Sequence, residues 1–371
     1  MTKPALPLKY WPFDLVPRPG APLIWAARKE LGTDLTTLGR RLGRHSAVTL
    51  HLLWADFGAG KTHALLYLKQ RIEQREFGSM VPIYCALPKG CQSFLDVYKA
   101  IVRSIPADLL GGAFAEAQSN VGRERLEREM DSISPGLTRC LIALSLGGVA
   151  QRSAAISWLR GESGIPLRVL QGLSIHGRIR SVDEAVAALA GIVGLFVRAG
   201  SHRVVFLLDE FQRVEVLRKQ QQDEINAGLH GFFNSCGQGM SLVLSFSFGN
   251  EANVRHFLNA ELLSRVDPLR ISIPALSVEH GVEFLEEIVG RAREDQSVWP
   301  VEDAVIPLIV RSVSSRFALT PRRLMKAAGL VFDLASNDLE DGVIEEVTKE
   351  YVDGMVARGE FDRIDDSMET S

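Results

Sequence analysis

Residues 50–63 read Leu-His-Leu-Leu-Trp-Ala-Asp-Phe-Gly-Ala-Gly-Lys-Thr-His, and this stretch decides the fold. An apolar strand leads into a glycine-rich turn, which is followed by Lys61, Thr62 and an apolar helix. This order is typical of a phosphate-binding loop, because backbone N–H groups and the amino end of the helix then face an anion. Glycines at 58 and 60 let the backbone approach oxygen atoms, since no Cβ intervenes. The pattern predicts these phosphate-binding residues: Asp56, Phe57, Gly58, Ala59, Gly60, Lys61, Thr62 and His63.

One residue departs from the full pattern G-x-x-x-x-G-K-[ST], because Ala55 stands where the first glycine is expected. Ala55 precedes the turn that would face the phosphates, so we still expect a nucleotide site. Lys61 would reach the β- and γ-phosphates as a point charge, and the hydroxyl of Thr62 would ligate Mg²⁺.

The second half of the predicted site is the run from His202 to Glu210, in which five apolar residues end in two adjacent carboxylates. A buried parallel strand delivers such residues at its carboxyl end. We expect Asp209 to hold Mg²⁺ and Glu210 to polarise a water for attack on the γ-phosphate. The alternative is a surface turn after a core strand, which the phosphate-loop pattern upstream makes the weaker interpretation.

A further apolar strand is predicted within residues 240–250, and it ends in polar residues. Ser247 and Asn250 are therefore candidates to contact the attacking water or the γ-phosphate. Equal weight falls on the alternative that both are solvated or internally bonded polar groups.

Downstream, Leu262-Leu263-Ser264-Arg265 precedes another strand-like run and a helical region. Together with the phosphate loop and the Asp-Glu strand, these segments resemble the AAA+ ATPases, in particular the branch near origin-recognition and clamp-loader proteins. The resemblance implies ATP and Mg²⁺ as cofactors, ATP hydrolysis, and assembly into a homo-oligomer of five to seven subunits. It also makes Arg265 a candidate arginine finger that reaches a neighbouring subunit's ATP. A purely local salt bridge is the alternative for Arg265.

The C-terminal region is predicted to form a helical lid, with helices near residues 278–294, 303–316 and 321–336. Thr320 is suited to cap the last of these, and Pro321 suits its first position. The family resemblance implies that an arginine at this helix start contacts the γ-phosphate within the same subunit. Arg322 matches best and Arg323 is the second choice, while a solvated helix charge is the alternative for either.

The interval between the two phosphate-site motifs is long for this architecture. A second strand is expected at 81–87 and a helix at 94–105, followed by a helical insertion over about 107–200 that ends in a helix from 181 to 199. The block Trp158-Leu159-Arg160-Gly161 within it, together with Gly60-Lys61-Thr62-His63, is similar to the ATP-binding proteins of BREX-type bacterial phage-defence systems. This resemblance spans roughly residues 45–330.

The predicted fold class is therefore α/β: a P-loop NTPase (AAA+) core with a parallel sheet, a large helical insertion and a C-terminal helical lid. An N-terminal arm and helix occupy residues 1–44, with the helix from 22 to 44 and the arm wrapped on the core or docked on a partner. The core spans 45–276 and the lid 277–357. The acidic tail, 358–371, is expected to lack regular structure.

Composition agrees with an intracellular enzyme. Apolar residues make up 46% of the 371 residues, which is enough for well-filled cores. The four cysteines have no metal-binding spacing, and neither a membrane-spanning run nor a signal peptide is recognised. We therefore expect a cytoplasmic location and no membrane partner.

DNA binding stays open at this point. The net charge of −3 argues against a strongly basic module, although local clusters exist: Arg40, Arg41 and Arg44; Arg178 and Arg180; Arg322, Arg323 and Lys326. The chain is expected to end before the winged-helix domain of origin-type relatives, so DNA contact would fall to the insertion or to an inner ring surface.

Three functions are compared. The first is an ATP-hydrolysing motor or switch that oligomerises and acts on DNA or a partner complex, in phage defence or genome maintenance. The second is a signalling or scaffold ATPase whose nucleotide state controls assembly with an effector protein encoded nearby. The third, a nucleotide-binding structural protein, is disfavoured by Lys61, Asp209 and Glu210.

Overall fold

The computed structural model describes residues 6–14, 25–44, 49–236, 239–247, 254, 258–294 and 298–364. The chain divides into two compact units. The sheet unit consists of Asp34–Trp54 and Ala64–Ser272. The C-terminal unit consists of Met1–Thr33, Ala55–His63 and Ile273–Ser371, so it includes the glycine-rich loop. The sequence-based boundaries after residues 44, 276 and 357 stay predictions.

A five-stranded sheet forms the centre of the sheet unit, with strand order β2-β3-β4-β1-β5. The pairs β1–β4, β2–β3 and β3–β4 are parallel. The apolar sequences of β3 and β4 explain why both strands lie inside the sheet. Both are buried along their whole length, as expected for strands covered on both faces. The strands are β1 (Thr49–Ala55), β2 (Met80–Ala86), β3 (Arg203–Asp209), β4 (Met240–Phe246) and β5 (Val266–Ile273). The predicted parallel α/β class is confirmed.

The register places the strand ends that matter for function at one edge. Trp54 of β1 pairs with Phe246 of β4, and Ala86 of β2 pairs with Asp209 of β3. The loops that follow β1, β3 and β4 therefore all leave from the carboxyl edge of the sheet, where ligands bind in open α/β folds.

Helices α1 (Lys29–Arg44), α2 (Lys61–Glu73), α3 (Phe94–Arg103), α10 (Lys219–Cys236) and α11 (Ala260–Leu263) complete the core. The prediction that the first helix starts at residue 22 is wrong for the described residues 25–28. Ala27 and Arg28 have φ values of 50° and 59°, in the left-handed region, so the helix begins only at Lys29. The predicted helix at 94–105 ends two residues early, because Ser104 caps it and Pro106 follows soon after.

Six helices lie between α3 and β3, as the helical pattern of the insertion predicts. Ser181 begins the last of them with a capping box, since its hydroxyl accepts from the N–H of Glu184 and the Glu184 carboxylate accepts from the N–H of Ser181. The helices are α4 (Ala107–Val121), α5 (Arg123–Ile133), α6 (Pro135–Leu146), α7 (Val149–Leu159), α8 (Leu167–Gly172) and α9 (Val182–Arg198). They share one apolar core with the sheet.

The C-terminal unit has its own apolar core, built by α12 (Val278–Ala292), α13 (Val305–Ser314), α14 (Pro321–Glu340) and α15 (Lys349–Ala357). The N-terminal arm belongs to this core, because Leu6 and Phe13 are buried in it and Leu8 bridges to Arg293. In its described part, the arm packs against the C-terminal helices of its own chain.

The acidic tail differs from its prediction at its start. Residues Glu360–Ile364 form a 3₁₀ helix, and the side chains of Phe361 and Ile364 are buried. These two apolar residues anchor the segment despite the acidic residues around them; residues 365–371 lie outside the described part. Within the described residues, every helix is too short or too polar to cross a membrane.

Candidate nucleotide-binding site

The glycine-rich loop has the backbone that its sequence predicts. Gly58 and Gly60 have φ values of 77° and 103°, a region that side chains disfavour, and the N–H of Ala59 donates to the carbonyl of Asp56 over 3.1 Å. Ala55 is the last residue of β1, so the missing glycine falls outside the turn. Lys61 opens α2, with Thr62 exposed on the same first turn. This loop fits phosphate oxygens, since the turn and a helix amino end follow each other.

Asp209 is the buried carboxylate at the end of β3, with 1% of its surface exposed. It accepts hydrogen bonds from the Tyr84 hydroxyl over 3.1 Å, from the Ser245 hydroxyl, and from the N–H of Glu210 over 2.8 Å. Tyr84 and Ser245 lie on the strands flanking β3, and their bonds fix the orientation of the carboxylate. A carboxylate held in this way is the kind of oxygen donor that Mg²⁺ prefers.

Glu210 adopts an unusual backbone for its residue type, with φ 61° and ψ 32° in the left-handed region. Its carboxylate accepts from the Gln212 amide over 3.0 Å and pairs with Arg213 at 3.3 Å. Such strained residues persist only where the surroundings hold them, and they cluster at functional sites. The 3₁₀ helix at Phe211–Val214 supplies both partners.

Ser247 follows β4 and is hydrogen-bonded to Gln212, the residue that also contacts Glu210. The Gln212 side-chain NH₂ donates to the Ser247 hydroxyl over 2.8 Å, and the Ser247 N–H donates to the Gln212 side-chain oxygen Oε1 over 3.1 Å. The structure therefore joins Ser247 to Glu210 through Gln212, a residue that sequence reasoning missed. Asn250, the other candidate on this strand, lies outside the described residues.

Arg322 lies beside the glycine-rich loop within the C-terminal unit. Its guanidinium lies 5.0 Å from the centre of the Phe57 ring, and a Cβ on Gly58 would come within 3.4 Å of the Arg322 Cβ. Thr320 caps α14 by accepting from the N–H of Arg323 over 3.3 Å, as predicted. The Arg323 guanidinium instead donates to the carbonyl of Ala318 and lies over Phe317.

The segment just before α1 also contacts the loop, and sequence reasoning missed it. The Trp25 ring stacks on His63 at 5.9 Å. Arg28 donates to the carbonyl of Ala59 and to the carbonyl of Pro274, each over 2.8 Å. Burial lowers the pKa of Arg28 to about 10. The only sequence signal was the position of this segment ahead of the first strand.

Solved structures that resemble the chain include the following three. ORC1 of Aeropyrum pernix, solved in complex with DNA, matches with a TM-score of 0.50 and 17% identity, over 92% of this chain and 67% of that one. ORC2 of the same organism, solved as ADPNP–ADP complexes, matches with a TM-score of 0.56 and 14% identity, over 94% of this chain and 70% of that one. Cdc6p of Pyrobaculum aerophilum matches with a TM-score of 0.51 and 12% identity, over 91% of this chain and 67% of that one.

The chain has the AAA+ ATPase fold. Residues 122–258 also match the family model of the BREX system ATP-binding protein BrxC/D, so the resemblance predicted from the sequence is confirmed over this segment. No curated protein matches the sequence. Fold and family model together support an ATP-binding, nucleotide-driven function.

Arg265 lies just before β5 and makes local contacts in the sheet unit. Its guanidinium donates to the Asn234 side chain over 2.6 Å and lies 5.9 Å from the centre of the Phe233 ring. The local partner is therefore an amide rather than the carboxylate of the salt bridge considered above. A role for Arg265 across a subunit boundary stays a prediction.

Proposed function

We propose that the chain binds Mg·ATP, hydrolyses it, and acts as an oligomeric, nucleotide-driven motor or switch on DNA or a partner complex in phage defence. The observation that carries this proposal is the carboxylate pair after β3. Asp209 is buried and held by three donors, and Glu210 next to it is fixed in a left-handed conformation. A rigid metal-binding carboxylate beside a positioned base is what nucleotide hydrolysis requires.

Each residue has a distinct task in this proposal. Lys61 would neutralise charge on the β- and γ-phosphates. The Thr62 hydroxyl and Asp209 would hold Mg²⁺, which would supply charge neutralisation for the phosphate oxygens. Glu210 accepts the proton of the attacking water, and Gln212 orients Glu210. Arg322 stabilises γ-phosphate charge within the subunit, and Arg265 does so from a neighbour.

Assembly and targets are part of the same proposal. The family model is that of a BREX ATP-binding protein, and the A. pernix ORC1 relative was solved in complex with DNA. The DNA complex of ORC1 supports action on DNA, and the BREX family model supports a role in phage defence. The proposal adds assembly into a homo-oligomer, with effector chemistry on a separate protein encoded nearby.

Titration calorimetry with Mg·ATP tests the binding half of this proposal. The wild-type chain is expected to bind, and Lys61→Ala is expected to lose about 3 kcal/mol of binding free energy, because a charged phosphate contact disappears. Lys69→Ala, eight residues further along α2, is the matched control, since its ammonium only pairs with Glu73 at 2.6 Å. Equal affinities for wild type and Lys61→Ala would exclude the proposed phosphate site.

The second candidate is a signalling or scaffold ATPase with slow turnover. The pairing of Glu210 with Arg213 and Gln212 favours this candidate. Both partners occupy the Glu210 carboxylate, which would slow its action as a base on water. Turnover stimulated by a partner protein and unaffected by DNA would support this candidate over the first.

A further inference from the structure

The helical insertion contains a strongly basic segment that contributes no residue to the proposed nucleotide site. Residues 160–180, which we call the basic segment, connect the end of α7 to the start of α9 and include α8. They contain one carboxylate, Glu162, against four arginines and one histidine: Arg160, Arg168, Arg178, Arg180 and His176. The segment is thus cationic in a chain whose net charge is −3.

The basic segment is folded rather than loose. Its apolar residues Ile165, Leu170, Ile175 and Ile179 are buried at intervals of four or five positions. The Trp158 indole donates to the carbonyl of Gly177 over 2.7 Å, which ties the two ends of the segment together. The backbone and the arginine positions are therefore set by the core beneath them.

Two arginines of the basic segment act within the chain, since Arg178 donates to the carbonyl of Ile165, and the backbone N–H and the charge of Arg180 help to lower the pKa of the Glu184 carboxyl group. Arg160 and Arg168 are the two that remain for an external partner. Across the part of the chain that the structure describes, Arg160, Arg168, Arg178 and Arg180 form no ion pair within 4.0 Å, and Arg168 and Arg180 are exposed. Arginines elsewhere in the insertion behave differently, since Arg123 pairs with Glu127 and Arg125 pairs with Glu129, each at 2.8 Å.

The Glu184 carboxylate, just beyond the basic segment, and Asp96 of α3 are already engaged. The Glu184 carboxylate accepts from the N–H groups of Arg180 and Ser181, where it caps α9. Lys99 of α3, whose side chain lies against Gly161, pairs with Asp96 at 3.8 Å. Arg168 is exposed and Arg160 is half-buried, and neither forms an ion pair within the described residues, so an external anion can neutralise both.

We propose that the basic segment binds the phosphate backbone of duplex DNA, with Arg160 and Arg168 as the principal contacts. This inference rests on the proposed function, and it places the DNA contact on the insertion. Phosphates recur every few ångströms along a duplex, and arginine forks bind them with paired hydrogen bonds. Such contacts hold the duplex without reading its sequence.

Fluorescence anisotropy with a labelled duplex of mixed sequence tests the inference on the full-length chain. Arg160→Ala/Arg168→Ala should weaken binding about tenfold at about 100 mM salt, and should reduce the slope of log affinity against log salt by about 2. Arg160→Lys/Arg168→Lys should recover part of the affinity and the wild-type salt slope, since the charge remains while the paired hydrogen bonds are lost.

Arg123→Ala/Arg125→Ala is the matched control, because it removes the same charge from another exposed site of the insertion, and it should bind like wild type. Equal binding by both alanine pairs would overturn the inference, as would wild type that binds no duplex at about 50 mM salt. Polyglutamate that competes as well as the duplex, at equal charge, would also overturn it and indicate an acidic protein partner.

Mg·ATP calorimetry on the same samples separates this inference from the proposed function. Intact ATP binding without DNA binding would overturn only the role of the basic segment. Absent ATP binding in wild type would overturn the nucleotide site whatever the DNA result. Unchanged thermal unfolding of the Arg160→Ala/Arg168→Ala chain shows that the substitution leaves the fold intact.

Discussion

The Arg28 guanidinium donates to the backbone carbonyl of Ala59 over 2.8 Å, so a residue ahead of α1 holds the middle of the glycine-rich loop. The same guanidinium donates to the carbonyl of Pro274 over 2.8 Å, and the N–H of Ala27 donates to Glu287 over 3.1 Å. Two consecutive residues with positive φ are kept in place by these bonds. Contacts from outside the loop thus add to the backbone preferences of its own glycines in holding its shape.

Arg28→Ala is expected to loosen the loop without touching a phosphate. It removes two charge-assisted hydrogen bonds, so the free energy of unfolding should fall by about 2 kcal/mol and Mg·ATP should bind several-fold more weakly. Arg28→Lys should recover only part of the loss, because one ammonium cannot reproduce a fork between two carbonyls. Urea unfolding and calorimetry measure both effects. The exposed Arg40→Ala should change neither, and an Arg28→Ala chain with wild-type values would show that this contact does not hold the loop.

Tyr84→Phe is expected to weaken the metal site while keeping the ring in place. Loss of one donor lets the Asp209 carboxylate rotate, so the Mg²⁺ concentration for half-maximal ATP turnover should rise several-fold, about 1 kcal/mol. Tyr67→Phe is the control, because the contact of Tyr67 with Arg71 uses the ring face. If the Mg²⁺ dependence of Tyr84→Phe matches wild type, the hydroxyl does not position Asp209.

Arg322→Ala and Arg323→Ala form a matched pair for the lid contact. Arg322 lies over Phe57 in the glycine-rich loop, whereas Arg323 bonds to Ala318. Arg322→Ala should therefore lose about tenfold in ATP affinity, equivalent to about 1.4 kcal/mol, with ADP affinity unchanged. Arg323→Ala should bind both nucleotides like wild type. The opposite pattern would assign the lid contact to Arg323.

The linear motifs were predictable from the sequence, and the positioning groups were not. The loop from Asp56 to Gly60 and the Asp209–Glu210 pair each lie within a few residues of an apolar strand, so local pattern and turn chemistry suffice to find them. Tyr84 and Ser245 become partners of Asp209 only because β2 and β4 flank β3, and a strand order is not written in any local stretch.

The segment before α1 was missed for a different reason. Ala27 and Arg28 take a left-handed backbone that neither residue favours, so helix propensity predicted a helix that begins too early. The partners of Arg28, Ala59 and Pro274, lie 31 and 246 positions away along the chain. Tertiary contacts of this range override local preference. The same holds for Phe361 and Ile364, which order the start of an acidic tail.

The rate of phosphate release from Mg·ATP by wild type and by Glu210→Gln tests the proposed hydrolysis site most directly. The glutamine keeps the size of the side chain but accepts no proton, so the account predicts wild-type ATP affinity and turnover lowered by at least about a hundredfold, a general-base effect. Glu215→Gln, five residues further on, should retain full turnover. Turnover by Glu210→Gln equal to that of wild type, with ATP bound, would contradict the assignment of hydrolysis to this site.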